Sequence, residues 1–458
     1  MTVGPGSAGG MHGISEEAEA LARRMLDVVL EMRRERRLGA PRPSDELERA
    51  AGQPITPDGL GWERALHLWL DVLAPANIAV DHPRYLAFVG QAPTEASIFF
   101  DLLVSASAVY GGAWLEAAGA IHAENQALRW LADLAGFPSG AGGTFVPSGT
   151  LGNLAALHAA RDAAQRRRDG ARPPRWRMIT SAAAHSSVHA AARVLDVEVL
   201  VAPVDDRDRL TAEGIRRVVG DEGDDAIFAV VASAGATNAG AIDDLAGIAE
   251  LCQERGWWLH VDGAYGLAAL AAPSRRAAFA GIERADSFIV DPHKWFYGPY
   301  DCCALLYREP AIAAAAHSQH AAYLEAVSER DEWNPADYAV HLSRRPRGLP
   351  FWFSLVAHGT RAYTEAIEAT LETTRKAAAA IRSRPYLELL LEPELTVLLF
   401  RRLGWGEADY EAWSDRLLRE QIAFVVPTRF HEEPVARLCI VNPRTTIADI
   451  EHVLDTMA

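Results

Sequence analysis

The sequence has almost no lysine: of its 458 residues only Lys294 and Lys376 are lysine, so nearly all of the 45 Lys+Arg residues are arginine. Arginine is permanently charged and cannot act as a nucleophilic amine, whereas a desolvated lysine can lose its proton and condense with a carbonyl. Amine chemistry is therefore confined to two positions. Lys376 lies in "ETTRKAAAAIRS", a polar-then-alanine helix where a solvated lysine is expected. Lys294 follows the apolar run "SFIVD" and sits among aromatic residues in "DPHKWFYGP", where a structural and a functional lysine are both open readings.

Positive charge is also scarce. The formal net charge of −16 excludes a broad electrostatic grip on nucleic acid or an anionic membrane, since those partners need a basic face. There are only four cysteines, Cys252, Cys302, Cys303 and Cys439. They form no spaced metal motif and read as small core residues in a reducing compartment, which with the absence of a signal layout in "MTVGPGSAGGMHG" gives a cytoplasmic expectation. No apolar run approaches the length of a membrane span. No GxGxxG follows a strand, which lowers the case for a nicotinamide enzyme.

What is present is a large apolar fraction, 49% hydrophobic, enough for a full core and for two domains or one large domain with an appendage. An amphipathic helix is expected over "SEEAEALARRMLDVVLEMRRERR" and another near "WERALHLWLDVLA". After "HAENQALRWLADLAGF", also helical, "GTFVPSGT" reads as a turn from which "LGNLAALHAARDAAQRRR" continues as a helix. Then short β-rich runs alternate with helical ones: "RWRMIT", "VEVLVAP", "AIFAVVAS", "WWLHVD", "SFIVD" and "CCALLYR". That alternation predicts an α/β fold with a mostly parallel central sheet covered by helices, and ligands at its strand ends. The last hundred or so residues change to long helices with "ELTVLLFRR", "IAFVVPT" and "ARLCIVNP" between them, a small C-terminal α+β domain. The expected boundaries are 1–80 for an N-terminal helical segment, 81–350 for the large domain and 351–458 for the small one.

Three motifs gain meaning together. "PSGTLGN", from Pro147 to Asn153, places small residues and backbone N–H groups at a helix start, which suits a phosphate and equally suits an ordinary N-cap. Asp262 ends the buried strand "WWLHVD" and needs a cationic or hydrogen-bonding partner, whether a ligand or the next turn. His185 opens a helix in "SAAAHSSVHAA", where a histidine is commonly a cap. A phosphate cradle, a histidine, a strand-end aspartate and a lysine thirty-two residues beyond it are, in this order, the parts of a pyridoxal phosphate site.

With "HPRYLAF", "AHSSV", "HVDGAY", "DPHKW" and "LSRRPRGLPFW" in sequence, the chain resembles the pyridoxal-phosphate-dependent group II decarboxylase family, aromatic L-amino acid decarboxylase type, over roughly residues 15 to 456. The resemblance implies fold type I and makes Lys294 the lysine that holds the cofactor as a Schiff base. It implies that His185 stacks on the ring, Ala264 packs its other face and Asp262 pairs with the pyridine nitrogen. Gly149, Thr150 and His293, with Asp291, would hold the phosphate. Thr237 would lie near the cofactor oxygen or the substrate carboxylate. Tyr323 would be the mobile-loop tyrosine that protonates the carbanion in the neighbouring subunit's site.

The implied reaction runs from an L-amino acid through an external aldimine and a quinonoid to the amine and CO2, in a homodimer with shared sites. Phe88 and Val89 fall at the substrate side-chain pocket, while Gly90, Gln91 and Gly112 depart from the aromatic enzymes and suggest a larger or differently shaped one. Two alternatives stand beside decarboxylation to an amine. One is oxidative release of an aldehyde, against which the retention of Tyr323 and His185 counts; the other is a non-catalytic protein that keeps the fold.

Overall fold

In the computed structural model the described residues are 12–219, 225–319 and 332–458; Tyr323 lies outside them. Seven strands build the large sheet: β1 (Gly142–Val146), β2 (Arg177–Ser181), β3 (Glu198–Ala202), β4 (Ile227–Ser233), β5 (Trp258–Asp262), β6 (Ser287–Val290) and β7 (Cys303–Tyr307), in the order β1-β7-β6-β5-β4-β2-β3. The pairs β3/β2, β2/β4, β4/β5 and β5/β6 are parallel, and β7 alone runs against both its neighbours. All seven residues of β4 and all five of β5 are buried, as expected of parallel strands covered on both faces. One covering layer includes the Gly149–Arg166 and Ser186–Leu195 helices, and the other the Trp114–Leu134 and Leu245–Arg255 helices.

Two sequence readings are corrected here. "GTFV", taken as part of a turn, is β1: its glycines mask the strand signal, yet a side chain on Gly143 would place its Cβ only 1.8 Å from the Leu305 carbonyl oxygen of β7. "IAFVVPT" contributes little strand; Phe424 makes an isolated bridge to Tyr85, and regular pairing begins at Thr428.

The C-terminal part forms a second, antiparallel sheet from β8 (Leu387–Leu389), β9 (Val397–Arg402), β10 (Thr428–Phe430) and β11 (Glu433–Cys439), with its own core against the Thr360–Arg382, Glu407–Arg419 and Ile447–Asp455 helices. Lys376 is exposed on the first of these and pairs with Glu372 at 3.5 Å, as a surface lysine should. All four cysteines are buried and free. At the N-terminus Ser15 caps the Glu16–Arg34 helix by accepting from Ala18 N–H. No described helix is long and apolar enough to cross a membrane.

Candidate active site

The carboxyl ends of β1, β2, β4, β5 and β6 lead directly to the residues singled out by sequence. β5 ends at Asp262, whose Oδ1 accepts from the Ala264 N–H at 3.2 Å; the turn-capping reading and the site reading are thus both satisfied. β6 is followed by Asp291, His293 and Lys294, with the Asp291 N–H bonded to Ala264 O at 2.9 Å and the Lys294 N–H to Asp291 O at 2.9 Å. β1 runs into Ser148, which caps the Gly149–Arg166 helix. β2 is followed by His185, the N-cap of the Ser186–Leu195 helix.

These residues enclose a cavity of about 290 Å3 lined by Lys294, Asp262, His185, Ala264, Asp291 and His293, together with Gly149, Thr150, Thr237, Phe88 and Val89. Every sequence-derived candidate except Tyr323 is therefore brought to one place. Gly90, Gln91 and Gly112 do not line it. A Cβ on Gly112 would come 2.5 Å from the Tyr110 hydroxyl, so the missing side chain makes room for Tyr110 rather than for a wider pocket within this chain. A second cavity of about 530 Å3 shares Phe88, His185 and Thr237 with the first and extends toward Asp208, Arg429 and Phe430. Phe88 stands where the two meet, half exposed, with φ at +47°.

Charge is concentrated at the lysine. Lys294 Nζ lies 2.9 Å from Asp291 Oδ2, and His293 Nε2 lies 3.5 Å from the same oxygen. Burial opposes the ammonium, but the Asp291 carboxylate outweighs it and raises the Lys294 pKa. Burial likewise works against the Asp291 charge, and Lys294 and His293 overcome it, holding its pKa below the ordinary carboxylate value. Burial lowers the pKa of His293. The start of the Gly149 helix is crowded from below: a Cβ on Gly149 would approach Ile289 Cδ1 at 3.2 Å and Asp291 Oδ2 at 3.3 Å. An amine, a carboxylate, an imidazole and a glycine-lined helix N-terminus around one cavity fit the charge pattern of pyridoxal phosphate.

Sequence reasoning missed the residues behind this surface. Asn153, one helical turn after Gly149, donates from Nδ2 to Asp262 Oδ2 at 2.8 Å and to Ser187 Oγ at 2.9 Å. His260, on the same face of β5 as Asp262, places Nε2 2.9 Å from Asn153 Oδ1. Burial drives its pKa down to about 4, so the ring is neutral. The spacings i+4 from Gly149 and i−2 from Asp262 were the available signals. Arg437, on β11, carried none. It is buried and spreads its guanidinium over three backbone carbonyls, those of Thr237 (2.6 Å), Phe88 (2.7 Å) and Asn238 (3.2 Å).

A lysine just after a central parallel-sheet strand, sharing one cavity with an aspartate from the next strand and with a helix N-terminus, is the arrangement of the pyridoxal-phosphate class of α/β enzymes. Residues 55–403 match the pyridoxal-dependent decarboxylase conserved domain, and the chain belongs to that family. It is 30% identical over 425 residues to an aromatic-L-amino-acid decarboxylase of Bacillus atrophaeus, covering 90% of this chain and 88% of the relative. It is 32% identical over 396 residues to an L-2,4-diaminobutyrate decarboxylase of Rhizobium meliloti, covering 83% of this chain and 78% of that one. In fold it resembles Oryza sativa TDC solved with PLP and tryptamine, with a TM-score of 0.90 at 22% identity over 100% of this chain and 99% of that chain. The protein is thus a fold type I, pyridoxal-phosphate-dependent amino acid decarboxylase.

Proposed function

We propose that the chain removes the carboxyl group of an L-amino acid with an aromatic or bulky apolar side chain, giving the amine and CO2. The observation that carries this reading is the convergence of Lys294, Asp262 and His185 on one cavity walled by Phe88 and Val89. Bound there, pyridoxal phosphate supplies an electron sink for the pair released when the Cα–carboxylate bond breaks. Lys294 holds the cofactor through Nζ. Asp262, fixed by Asn153 and the Ala264 N–H, presents its carboxylate to the ring nitrogen. His185 would cover one ring face and Ala264 the other, both lining the cavity. Gly149, Thr150 and His293 would hold the phosphate at the helix N-terminus, where free N–H groups and the helix dipole favour an anion, and Asp291, itself an anion, would contribute through the His293 and Lys294 it engages. Thr237 would lie near the cofactor oxygen or the substrate carboxylate, and Tyr323, reaching the neighbouring subunit's site, would return a proton to Cα.

The preference for an apolar side chain is supported by how the nearby cations are used. Arg429 is engaged by Glu407 at 2.7 Å and Arg437 by its three carbonyls, so neither stands ready for an acidic side chain. A second reading has its own observation. The side chain of Asp208, on the wall of the adjoining cavity, makes no hydrogen bond or ion pair among the described residues, which favours a substrate ending in a cation such as a diamino acid.

A homodimer is part of the proposal. Met25, Leu26, Trp62 and Trp69 in the N-terminal segment, and Leu102 and Leu103 on the Glu95–Ala106 helix, are all exposed large apolar residues in the single chain. We place residues 1–80 at that interface, 81–350 around the cofactor and 351–458 as the small domain, in a cytoplasmic enzyme.

The test is mass-spectrometric product analysis with pyridoxal phosphate and a panel of L-phenylalanine, L-tyrosine, L-tryptophan, L-2,4-diaminobutyrate and L-glutamate, run beside Lys294→Ala. Aromatic amines formed by the wild type alone are expected. Diaminopropane as the main product would establish the Asp208 reading instead. An aldehyde with oxygen consumption would replace decarboxylation to an amine altogether.

A further inference from the structure

Behind the cavity runs a chain of hydrogen bonds sealed from solvent. Trp258 Nε1 lies 2.8 Å from Ser287 Oγ, and Ser287 Oγ lies 2.8 Å from His260 Nδ1. His260 Nε2 lies 2.9 Å from Asn153 Oδ1; Asn153 Nδ2 then reaches Asp262 Oδ2 at 2.8 Å and Ser187 Oγ at 2.9 Å. Ser187 Oγ lies 2.8 Å from His185 Nδ1, which also accepts the Ser187 N–H at 3.2 Å. Ser287, His260 and Asn153 have no exposed surface, and Trp258 and Ser187 almost none. The parallel register that sets His260 opposite Ser287 and the period-2 alternation that puts Trp258, His260 and Asp262 on one face of β5 make the alignment a property of the sheet.

The direction of every bond in this chain is determined. An indole N–H can only donate, so Ser287 Oγ accepts from Trp258; with a second lone pair and one hydrogen left, Ser287 can meet either tautomer of His260, and the direction is set from the Asp262 end. His260 is neutral and so carries one ring N–H. At the other end an ionised carboxylate can only accept, which requires the Asn153 amide nitrogen to face Asp262. A flipped Asn153 would set its oxygen against the Asp262 carboxylate, so Asn153 Oδ1 faces His260 Nε2, which must donate to it; Nδ1 is then unprotonated and takes the Ser287 hydroxyl hydrogen. The second amide hydrogen goes to Ser187 Oγ, and since His185 Nδ1 accepts the Ser187 backbone N–H it is unprotonated and takes the Ser187 hydroxyl hydrogen as well. His185 therefore carries its own proton on Nε2.

We propose that Trp258, Ser287, His260, Asn153 and Ser187 are positioning residues whose one-way hydrogen-bond chain fixes the tautomer of His185 with the proton on Nε2, and ties that tautomer to the charge on Asp262. This rests on the reading of His185 as the residue over the cofactor ring. The imidazole then presents an N–H toward the reacting side before any substrate arrives, and neutralising Asp262 releases Asn153 to turn and lets the His185 proton redistribute.

The test is the 15N spectrum of histidine side chains in the full-length, cofactor-loaded protein, with His185→Gln and His260→Gln used to assign the two rings. Both Nδ1 nuclei are expected in the unprotonated, pyridine-type range and both Nε2 nuclei in the protonated range. In Ser187→Ala only the longer backbone contact remains, and the two His185 nitrogens should move toward each other; Ser187→Thr, which keeps the hydroxyl, should restore the wild-type positions. Asn153→Leu should move His185 in the same direction as Ser187→Ala. A protonated His185 Nδ1 in the wild type, or a Ser187→Ala spectrum identical to it, overturns the proposal. The outcome is separable from the functional reading: an inactive protein with the stated tautomers leaves the hydrogen-bond chain standing, and an active decarboxylase with the proton on Nδ1 removes the chain alone.

Discussion

Breaking the buried pair between Glu124 and Arg344 is expected to destabilise the protein more than any surface substitution. Arg344 Nη1 and Nη2 bind the two carboxylate oxygens of Glu124 at 2.8 and 2.9 Å, and both side chains are buried. Glu124 Oε1 also accepts the Gly348 N–H at 2.7 Å, and Arg344 Nη1 donates to Gly111 O at 2.7 Å. The pair thus clamps three segments: the loop before the Trp114–Leu134 helix, that helix, and the start of the Leu349–His358 helix. Removing one partner leaves the other charge buried and unpaired, which costs about 3–5 kcal/mol. Glu124→Gln and Arg344→Met should each lower stability by an amount of that order. In the double variant no charge is left stranded, so its loss should be no greater than either single loss, giving a coupling energy of about 3 kcal/mol. Urea unfolding followed by tryptophan fluorescence, with all four members of the cycle compared, measures this directly. Single losses below about 1 kcal/mol, or a double variant whose loss is the sum of the singles, would refute the reasoning.

Other outcomes are equally specific. Lys294→Ala should abolish the absorbance of the lysine-bound cofactor and all turnover; retained absorbance would remove Lys294 from its role. Asp262→Asn should lower kcat by on the order of 10²-fold or more while cofactor still binds, because a preorganised charge is lost where the ring nitrogen needs it. Arg437→Lys keeps the charge but cannot span three carbonyls; two lost bonds at about 1 kcal/mol each predict a tenfold or greater fall in kcat/KM with amine formation unchanged in kind. For His260, whose folded pKa of about 4 lies below the ordinary 6.5, the unfolded chain binds the proton more readily; the stability it provides is complete above pH 6.5 and is lost as pH falls toward 4. The stability advantage of wild type over His260→Gln should therefore shrink by about 3 kcal/mol between pH 7 and 4, measured by urea midpoints at each pH.

Much of the architecture was legible because β-rich apolar runs between helical stretches leave little choice of fold: "RWRMIT", "VEVLVAP", "AIFAVVAS", "WWLHVD", "SFIVD" and "CCALLYR" each became a strand of the large sheet. β1 was hidden by Gly142 and Gly143: Gly143 serves the close approach of β7, Gly142 leaves room for the Trp333 ring, and together they erase the β signal. The residues facing the cavity were readable since a lone lysine and strand-end polar groups stand out against apolar neighbours. Asn153, His260 and Ser287 were not, because each is ordinary in its own segment and acquires its role only when sheet register sets it opposite another. Arg437 was one arginine among many until the fold brought three carbonyls to it.

The single reversed strand has a consequence for how tightly the chemistry is held. β7 pairs with β6 on one side and β1 on the other, with Val146 opposite Cys303. The segment from Asp291 to Cys302, which carries Lys294, therefore leaves the sheet on one strand and re-enters it on the next, while the Gly149 helix springs from the strand beyond. The amine and the Gly149 helix N-terminus, which line the same cavity, are set apart by the width of neighbouring ladders, a ruler made of backbone rather than of side chains. One residue added or removed between Val290 and Cys303 would throw the ruler out of step with the helix it measures against.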